Sequence, residues 1–153
     1  MKRLRDAVGA ATPRLQAIDD ARASEPIAPG KWSRKETLGH LIDSASNNHG
    51  RFVRAAMSDE LVAPGYAQEE WVALQRYADA SWTSLITLWR EFNLHIARVM
   101  ESIPEEARLR SRATHNLDEI SWNAVPKSQP ATLEYFMSDY VGHLENHLRQ
   151  ILD

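Results

Sequence analysis

The sequence contains no cysteine among its 153 residues. Disulfide bonds, thiolate nucleophiles and cysteine-ligated zinc sites are therefore excluded. The absence of cysteine fits a reducing compartment, and we expect a cytoplasmic protein. The charged residues 1–6 are not followed by an apolar stretch, so we expect no signal peptide.

Long hydrophobic runs are also absent. No segment approaches the roughly 18 consecutive apolar residues of a membrane-spanning helix, so we expect no membrane partner. Basic residues are not in excess either, because 18 lysines and arginines are set against 21 aspartates and glutamates, for a net charge of −3. This balance argues against a nucleic-acid partner, which usually requires a basic patch.

What is present is an ordinary globular composition, with 43% apolar and 25% charged residues. We expect one domain over residues 1–153, large enough to bury a core without disulfides. Apolar residues recur at steps of three and four, which is typical of amphipathic helices, and no strand alternation is evident. Four long helical segments are predicted at residues 2–22, 32–57, 79–103 and 133–152.

Local signals mark the ends of these segments. Ser33 followed by Glu36 predicts a capping box, in which each side chain satisfies a free amide at the start of the second helix. Thr132 is the predicted N-cap of the fourth helix. Thr12 followed by Pro13 predicts a kink or a restart inside the first segment, because threonine can cap a helix and proline suits its first position.

The connections differ in character. Residues 24–31 are rich in turn formers, and residues 67–77 predict a short helix. Residues 104–131 are the least periodic part of the chain beyond one helical turn at their start, and a long irregular segment is typical of a functional loop or lid. We therefore predict an all-α fold, an up-down-type four-helix bundle with one or two short extra helices in the connections.

Two histidines of the fourth helix are the leading candidates for chemistry. His143 and His147 are four residues apart, so they share a helix face and can reach one metal ion at about 2.0–2.1 Å from each nitrogen. His40, in the middle of the second helix beside an apolar stripe, is the predicted third ligand. Three histidine ligands leave coordination positions open, as in catalytic sites. The alternative is that all three are ordinary histidines of a helical bundle.

Polar and aromatic residues near these positions are candidates for supporting roles. Asp43 and Asp139 could accept the second ring N–H of a ligand histidine, which metal-bound imidazoles usually require. Asn47 shares the helix face of the predicted third ligand and could orient water or substrate, or simply bond along its own helix. Tyr140 and Trp122 could line a pocket, although aromatic residues at such positions more often serve packing.

Other candidates carry weaker signals. Arg51 and Arg54 could bind an anionic thiol cofactor, but the sequence favours solvated positions for both. His95 lies in an apolar stripe and is predicted to be a core residue, and His115 is predicted to be a solvated loop residue. Glu145 should point away from the two C-terminal histidines. Because a histidine must be neutral to coordinate a metal, affinity is expected to fall as the pH drops through about 6.5.

Two stretches resemble the signatures of the DinB/YfiT-like superfamily. The first is residues 29–44, PGKWSRKETLGHLIDS, and the second is residues 140–151, YVGHLENHLRQI. Their order and separation also match that family. The resemblance implies a four-helix bundle, frequent homodimers and a divalent metal (Ni, Zn, Mn or Fe) held by His40, His143 and His147. It also implies, for characterised branches, transfer reactions that use bacillithiol, mycothiol or glutathione, whereas many members are only provisionally called metal-dependent hydrolases.

Two functional hypotheses follow. The first is a metal-dependent enzyme, a low-molecular-weight-thiol-dependent transferase or a hydrolase, that acts on a small-molecule substrate at an open three-histidine site. The second is a non-catalytic module, either a metal-stabilised helical dimerisation unit or a ligand sensor. An accessible cleft that leads to the metal would favour the enzyme, and a sealed site would favour the module.

Overall fold

Residues 2–153, which the computed structural model describes, form helices and loops with three isolated β-bridges and no strands. In chain order the α-helices are α1 (Lys2–Gln16), α2 (Asp20–Ala23), α3 (Arg34–Ala56), α4 (Gln68–Gln75), α5 (Trp82–Ser102), α6 (Glu105–Leu109), α7 (Leu117–Ile120) and α8 (Leu133–Leu152). A 3-10 turn at Tyr77–Asp79 precedes α5. Across this described part of the chain, no helix has both the length and the apolarity to cross a bilayer.

The helix starts follow the predicted capping residues. At the start of α3, Ser33 and Glu36 form the reciprocal capping box, and the Ser33 amide donates to the Glu36 carboxylate at 2.8 Å. At the start of α8, the Thr132 hydroxyl oxygen accepts a hydrogen bond from the Tyr135 amide at 3.1 Å. These bonds satisfy amides that have no partner within the helix, which fixes where both site-bearing helices begin.

The first segment departs from its prediction. α1 is continuous from Lys2 to Gln16 with Pro13 inside it, so of the two predicted alternatives, a kink or a restart, the restart is wrong. Thr12 does not cap a new helix, because its hydroxyl donates to the Val8 carbonyl one turn earlier at 2.7 Å. The connections also hold more helix than expected, since four short helices and a 3-10 turn replace the predicted one or two.

Four long helices, α1, α3, α5 and α8, enclose the core, and the predicted all-α four-helix bundle is confirmed. α1 packs mainly against α5 and α8, and α3 packs against the same two helices. Their order around the bundle is therefore α1, α5, α3, α8, so α1 lies opposite α3 and α5 lies opposite α8. This order differs from the simplest up-and-down bundle, in which consecutive helices are neighbours.

A buried arginine fastens the long connection between α5 and α8. The Arg112 side chain is 1% exposed, and its guanidinium donates to the backbone carbonyls of Ala55, Ser58, Ala107 and Arg110 at 2.9–3.4 Å. All three of its nitrogens therefore have partners, as a buried cation requires. The arginine thereby ties the C-terminal end of α3 to α6.

Candidate metal centre

Three histidines meet where α3 packs against α8. Each offers one ring nitrogen, and these three atoms lie within 4.8 Å of one another. His40 Nε2 lies 3.3 Å from His143 Nε2. The ring centroid of His147 is 4.9 Å from that of His40 and 4.6 Å from that of His143. The structure thus brings together the three residues that the sequence singled out as ligands.

Local structure explains this convergence. His143 and His147 are one helical turn apart on α8 and face α3. His40 is 1% exposed in the seventh position of α3, and the Trp32 ring lies against its imidazole with centroids 5.3 Å apart. The capping box that fixes the start of α3 therefore also fixes the height of His40 along the helix.

Burial keeps the three imidazoles neutral. Burial, with a smaller contribution from His147, lowers the pKa of His40 to about 4. Burial together with the two neighbouring histidines lowers the pKa of His143 to about 3. Burial also lowers the pKa of His147, against a hydrogen bond to Gln150 that raises it. All three rings are therefore neutral near pH 7, the form that can donate a lone pair to a metal.

The geometry fits a metal ion. Metal–nitrogen bonds of 2.0–2.1 Å in a tetrahedral arrangement place ligand nitrogens roughly 3.3–3.4 Å apart, and the His40 and His143 nitrogens are 3.3 Å apart. The other ring nitrogen of His147 lies 2.9 Å from Gln150 Oε1, which can orient the ring. The second ring nitrogen of His40 is buried and has no hydrogen-bond partner in the described part of the chain.

Asp43 bonds to neighbours other than a histidine. One of its carboxylate oxygens accepts hydrogen bonds from Gln75 at 2.5 Å and from the Tyr77 hydroxyl at 2.6 Å. Burial raises the pKa of Asp43, although both of these bonds lower it. Asn47 donates to the Asp43 backbone carbonyl at 2.9 Å, a bond along its own helix. Asp43 thus links α3 to the end of α4 and to the 3-10 turn that follows it.

Asp139 anchors the loop beside the site. Its carboxylate accepts hydrogen bonds from the backbone amides of Trp122 at 2.7 Å and Asn123 at 2.8 Å, and from the Asn123 side chain at 2.9 Å. The Trp122 ring is held above Gly142, where a Cβ atom would lie 3.2 Å from it, and its centroid is 6.4 Å from that of His143. Asp139 therefore acts on the loop rather than on a histidine.

Tyr140 is more deeply buried than Trp122, the other aromatic residue predicted to line a pocket. Its side chain is 2% exposed, and its hydroxyl donates to Asn93 on α5 at 2.5 Å. Burial raises the pKa of the Tyr140 hydroxyl well above its usual value, so it stays protonated. The ring lines the cavity beside His143. Tyr140 thus serves both packing between helices and the cavity wall.

Two cavities reach the histidines from different sides. The first has a volume of about 320 Å³ and includes His143, His147, Tyr140 and Trp122 in its wall. The second has a volume of about 600 Å³, is bounded by the loop before α3, and also reaches His147. The three-histidine group is therefore accessible to small molecules.

Comparisons with known proteins agree with this architecture. The family model described as the DinB superfamily matches residues 3–151. The chain belongs to the DinB superfamily. Its sequence is 20% identical over 139 residues to YfiT from Bacillus subtilis (strain 168). This alignment covers 91% of this chain and 72% of YfiT.

Solved structures share the DinB-superfamily fold. YfiT, described as a probable metal-dependent hydrolase with an unusual four-helix bundle topology, superimposes with a TM-score of 0.78 at 18% identity, over 98% of this chain and 80% of that one. The mycothiol-dependent maleylpyruvate isomerase superimposes with a TM-score of 0.63 at 14% identity. That match covers 98% of this chain but 55% of the isomerase chain, so the isomerase is much the longer protein.

Three residues of this DinB-superfamily chain lie where the sequence did not place them. Arg51 is 5% exposed and lines the first cavity, although a solvated position was expected. His115 is also buried, and its Nε2 lies 2.6 Å from the Gln129 carbonyl within the long connection. His95 is only half-buried and contacts Arg98, so it is not a core residue. Glu145 does point away from the histidines and pairs with Arg3.

Proposed function

We propose that this chain is a divalent-metal-dependent enzyme in which His40, His143 and His147 hold one transition metal ion. The observation that carries the proposal is the convergence of three neutral imidazoles at a point reached by two cavities. We assign the reaction to the transferase or hydrolase class, with a low-molecular-weight thiol as the co-substrate in the transferase case.

The metal, when bound, would polarise a substrate oxygen and lower the pKa of a coordinated water or thiol. The chain itself does the rest. His143 and His147 present lone pairs from one face of α8, and His40 presents a third from the neighbouring helix α3. Three protein ligands leave at least one position for a small molecule. The loop at Trp122 and Asn123 (the Trp122 loop), which Asp139 holds in place, forms one wall of the space in which that molecule would sit.

The two cavities favour a reaction with two partners. The first cavity is lined largely by polar and ionisable groups, whereas the second includes the apolar side chains of Ile27 and Trp32. Both reach His147, so two molecules could approach the same centre from different sides. The similarity to a mycothiol-dependent isomerase supports a thiol as one of the two.

The alternative is a non-catalytic module, a metal-stabilised dimerisation unit or a ligand sensor. A metal that served only stability would be expected in a closed site with four protein ligands. Three histidines beside two open cavities favour the enzyme.

Elemental analysis tests the metal. Protein purified without chelators, or dialysed against a divalent ion and then gel-filtered, should contain about one metal ion per chain. Substitution His143→Ala should reduce the metal content to near zero, because two imidazoles bind far more weakly than three. The matched control is His95→Ala, which changes a histidine outside the site and should leave the content unchanged. A protein that stays metal-free after supplementation would refute the proposal.

A conjugation assay tests the reaction. Bacillithiol, mycothiol and glutathione should be incubated in turn with electrophilic small molecules and the metal-loaded protein. We expect one thiol to be consumed faster than without protein, and the acceleration to be lost in His143→Ala. If no thiol reacts while an ester or amide substrate is cleaved in a metal-dependent way, the hydrolase assignment replaces the transferase assignment.

A further inference from the structure

Arg51 is a buried cation without an anion. Its side chain is 5% exposed, and no carboxylate in residues 2–153 lies within salt-bridge distance of it. Burial lowers the pKa of Arg51, although a guanidinium remains charged at neutral pH. A buried charge normally has a partner of opposite sign, because desolvation is costly. The missing partner therefore points to a ligand.

The hydrogen bonds of Arg51 leave its Nε without an acceptor in the part of the chain that the structure describes. One terminal nitrogen donates to the Pro64 carbonyl at 2.6 Å, and the other donates to Asn48 Oδ1 at 3.3 Å. Nε is buried and has no partner within the described residues. Both acceptors are neutral, so neither compensates the charge. From its Nε side, a guanidinium can donate two parallel hydrogen bonds to the oxygens of a carboxylate.

Arg112 is a buried arginine with a structural role, and its hydrogen bonds can be compared with those of Arg51. All three of its nitrogens donate to backbone carbonyls of the surrounding loops. Arg51 is buried to a similar degree, yet its Nε is left without an acceptor. The difference lies in the surroundings, because Arg51 lines a cavity and Arg112 does not line that cavity.

The position of Arg51 relates it to the three-histidine centre. Arg51 follows His40 by eleven residues on α3, which places it about 20° around the helix and roughly 16 Å along its axis. It therefore lies on the same face as His40, three turns further along. The cavity of about 320 Å³ connects Arg51 with His143 and His147. A metabolite-sized ligand could thus contact both ends.

The rest of the cavity wall leaves Arg51 as the available cation. The lining contains no lysine and no second arginine. Its two carboxylates are engaged elsewhere, because Asp139 accepts three hydrogen bonds from the Trp122 loop and Glu119 pairs with Lys127. A single positive charge can compensate the one negative charge of a carboxylate, whereas a doubly charged phosphate would keep one buried charge without a partner.

We propose that Arg51 binds the carboxylate of an elongated ligand whose opposite end reaches the three-histidine centre. The assignment of the opposite end rests on the proposed metal site, whereas the carboxylate contact does not. The preferred substrate or thiol is therefore an acid whose carboxylate is separated from the reacting group by several bonds. Arg51 determines specificity and need not take part in the chemical step.

Binding of two matched series of linear thiols to the zinc-loaded protein tests this assignment. Mercaptoalkanoates of increasing length carry a carboxylate, and mercaptoalcohols of the same length carry a neutral hydroxyl. At the best length, calorimetry should show the acid binding about 10- to 100-fold more tightly, as expected for a charge-assisted hydrogen bond. Equal affinities for acid and alcohol at every length would overturn the proposal.

Variants locate the preference at Arg51. In Arg51→Gln the preference for the acid should fall to about one, whereas Arg51→Lys should retain part of it, because lysine keeps the charge but loses the planar fork. The matched control is Arg54→Gln, which removes an exposed arginine three residues later and should keep the full preference. The ratio of the two affinities is measured within each folded variant, so a general loss of stability does not imitate the result.

A metal-free arm separates this inference from the proposed function. Linear alkanoates without a thiol should bind the metal-free protein weakly, and Arg51→Gln should still weaken that binding. If zinc does not bind but this effect of Arg51 persists, the metal assignment fails and the carboxylate site stands. If zinc binds and Arg51→Gln leaves the preference for the acid unchanged, the carboxylate site fails and the metal assignment stands.

Discussion

At the scale of single residues, burial decides the protonation of the three histidines. Exposed histidines would begin to lose a metal as the pH fell through about 6.5. In this fold, burial lowers the pKa of His40 to about 4 and that of His143 to about 3. Protons should therefore compete with the metal for the folded protein only at a lower pH than the sequence alone suggests.

The same shifts predict how the stability of the metal-free protein depends on pH. An unfolded histidine takes up a proton near pH 6.5, whereas the folded His40 and His143 resist protonation until about pH 4 and 3. Between these values the unfolded state binds more protons, so stability is full above about pH 6.5 and falls as the pH decreases. We expect roughly 1–2 kcal/mol less stability per buried histidine at pH 5 than at pH 7.5.

Urea unfolding at the two pH values measures this difference. The variant His143→Gln should show a smaller loss between pH 7.5 and pH 5, because one of the buried titrating groups has been removed. The control His95→Gln should keep the loss of the wild-type protein. An identical pH dependence in wild type and His143→Gln would contradict the expected effect of burial.

A second residue-scale prediction concerns Gly39, the neighbour of His40. A Cβ atom at this position would lie 2.1 Å from the ring of Tyr77, whose hydroxyl binds Asp43. Gly39→Ala should therefore displace that ring and destabilise the protein by roughly 1–3 kcal/mol in urea unfolding. In the control Gly9→Ala, the helical glycine has nothing within 4 Å of the added atom, so stability should be unchanged or should rise by up to about 1 kcal/mol.

At the scale of elements, the sequence predicted the long helices well because their signals are local. Apolar periodicity and the capping residues Ser33 and Thr132 depend only on nearby positions. The prediction of a restart at Pro13 was wrong because proline removes only one hydrogen bond from the helix. The burial of Leu4, Val8 and Leu15 in the core keeps the helix continuous. The order of the helices around the bundle depends on long-range packing, which helix periodicity does not encode.

In the candidate site too, features with local sequence signals were predictable, and features that depend on long-range packing were not. The pair at i and i+4 on α8 indicated two of the clustered histidines. The position of His40 beside an apolar stripe indicated the third, and the family resemblance implied the same three ligands. The sequence also allowed Arg51 to be placed on the helix face of His40, because the two residues are eleven positions apart on α3. Its burial was not predictable, because the covering group is the backbone around Pro64, thirteen residues away in an irregular segment. His115 was missed similarly, since Gln129 covers it from the far side of its loop.

Asp139 offers a test of how α8 holds the loop beside the site. Asp139→Asn removes the charge that three N–H groups share and should cost about 1–3 kcal/mol. Amide hydrogen exchange at Trp122 and Asn123 should accelerate more than exchange elsewhere, because the loop opens locally. In the control Asp6→Asn, an exposed aspartate of α1 is changed, and loop exchange should stay as in the wild type.

At the scale of the whole molecule, the proposed metal should stabilise the bundle. A ligand at about 100 times its dissociation constant adds about 2.7 kcal/mol to the free energy of unfolding. For a chain of this length, that increment corresponds to a rise in Tm of roughly 5–10 °C. Calorimetry of the wild-type protein should show a higher Tm with zinc than without it. The variant His143→Ala and the chelator-treated protein should show no such rise. The absence of a shift with every divalent ion tested would favour a plain helical bundle.

Homodimer formation remains a prediction from the family resemblance. Analytical ultracentrifugation of the purified protein at several concentrations would measure it, and a dimer should sediment as a species of about twice the chain mass of 17.4 kDa.

The separation of His40 from His143 along the chain has a kinetic consequence. Their nitrogens are 3.3 Å apart in space but 103 residues apart in sequence, so they meet only after a large loop has closed. A contact of this kind contributes little to the folding transition state unless it belongs to the nucleus. Zinc should then leave the refolding rate nearly unchanged and slow unfolding instead, because it binds only after the chain has folded.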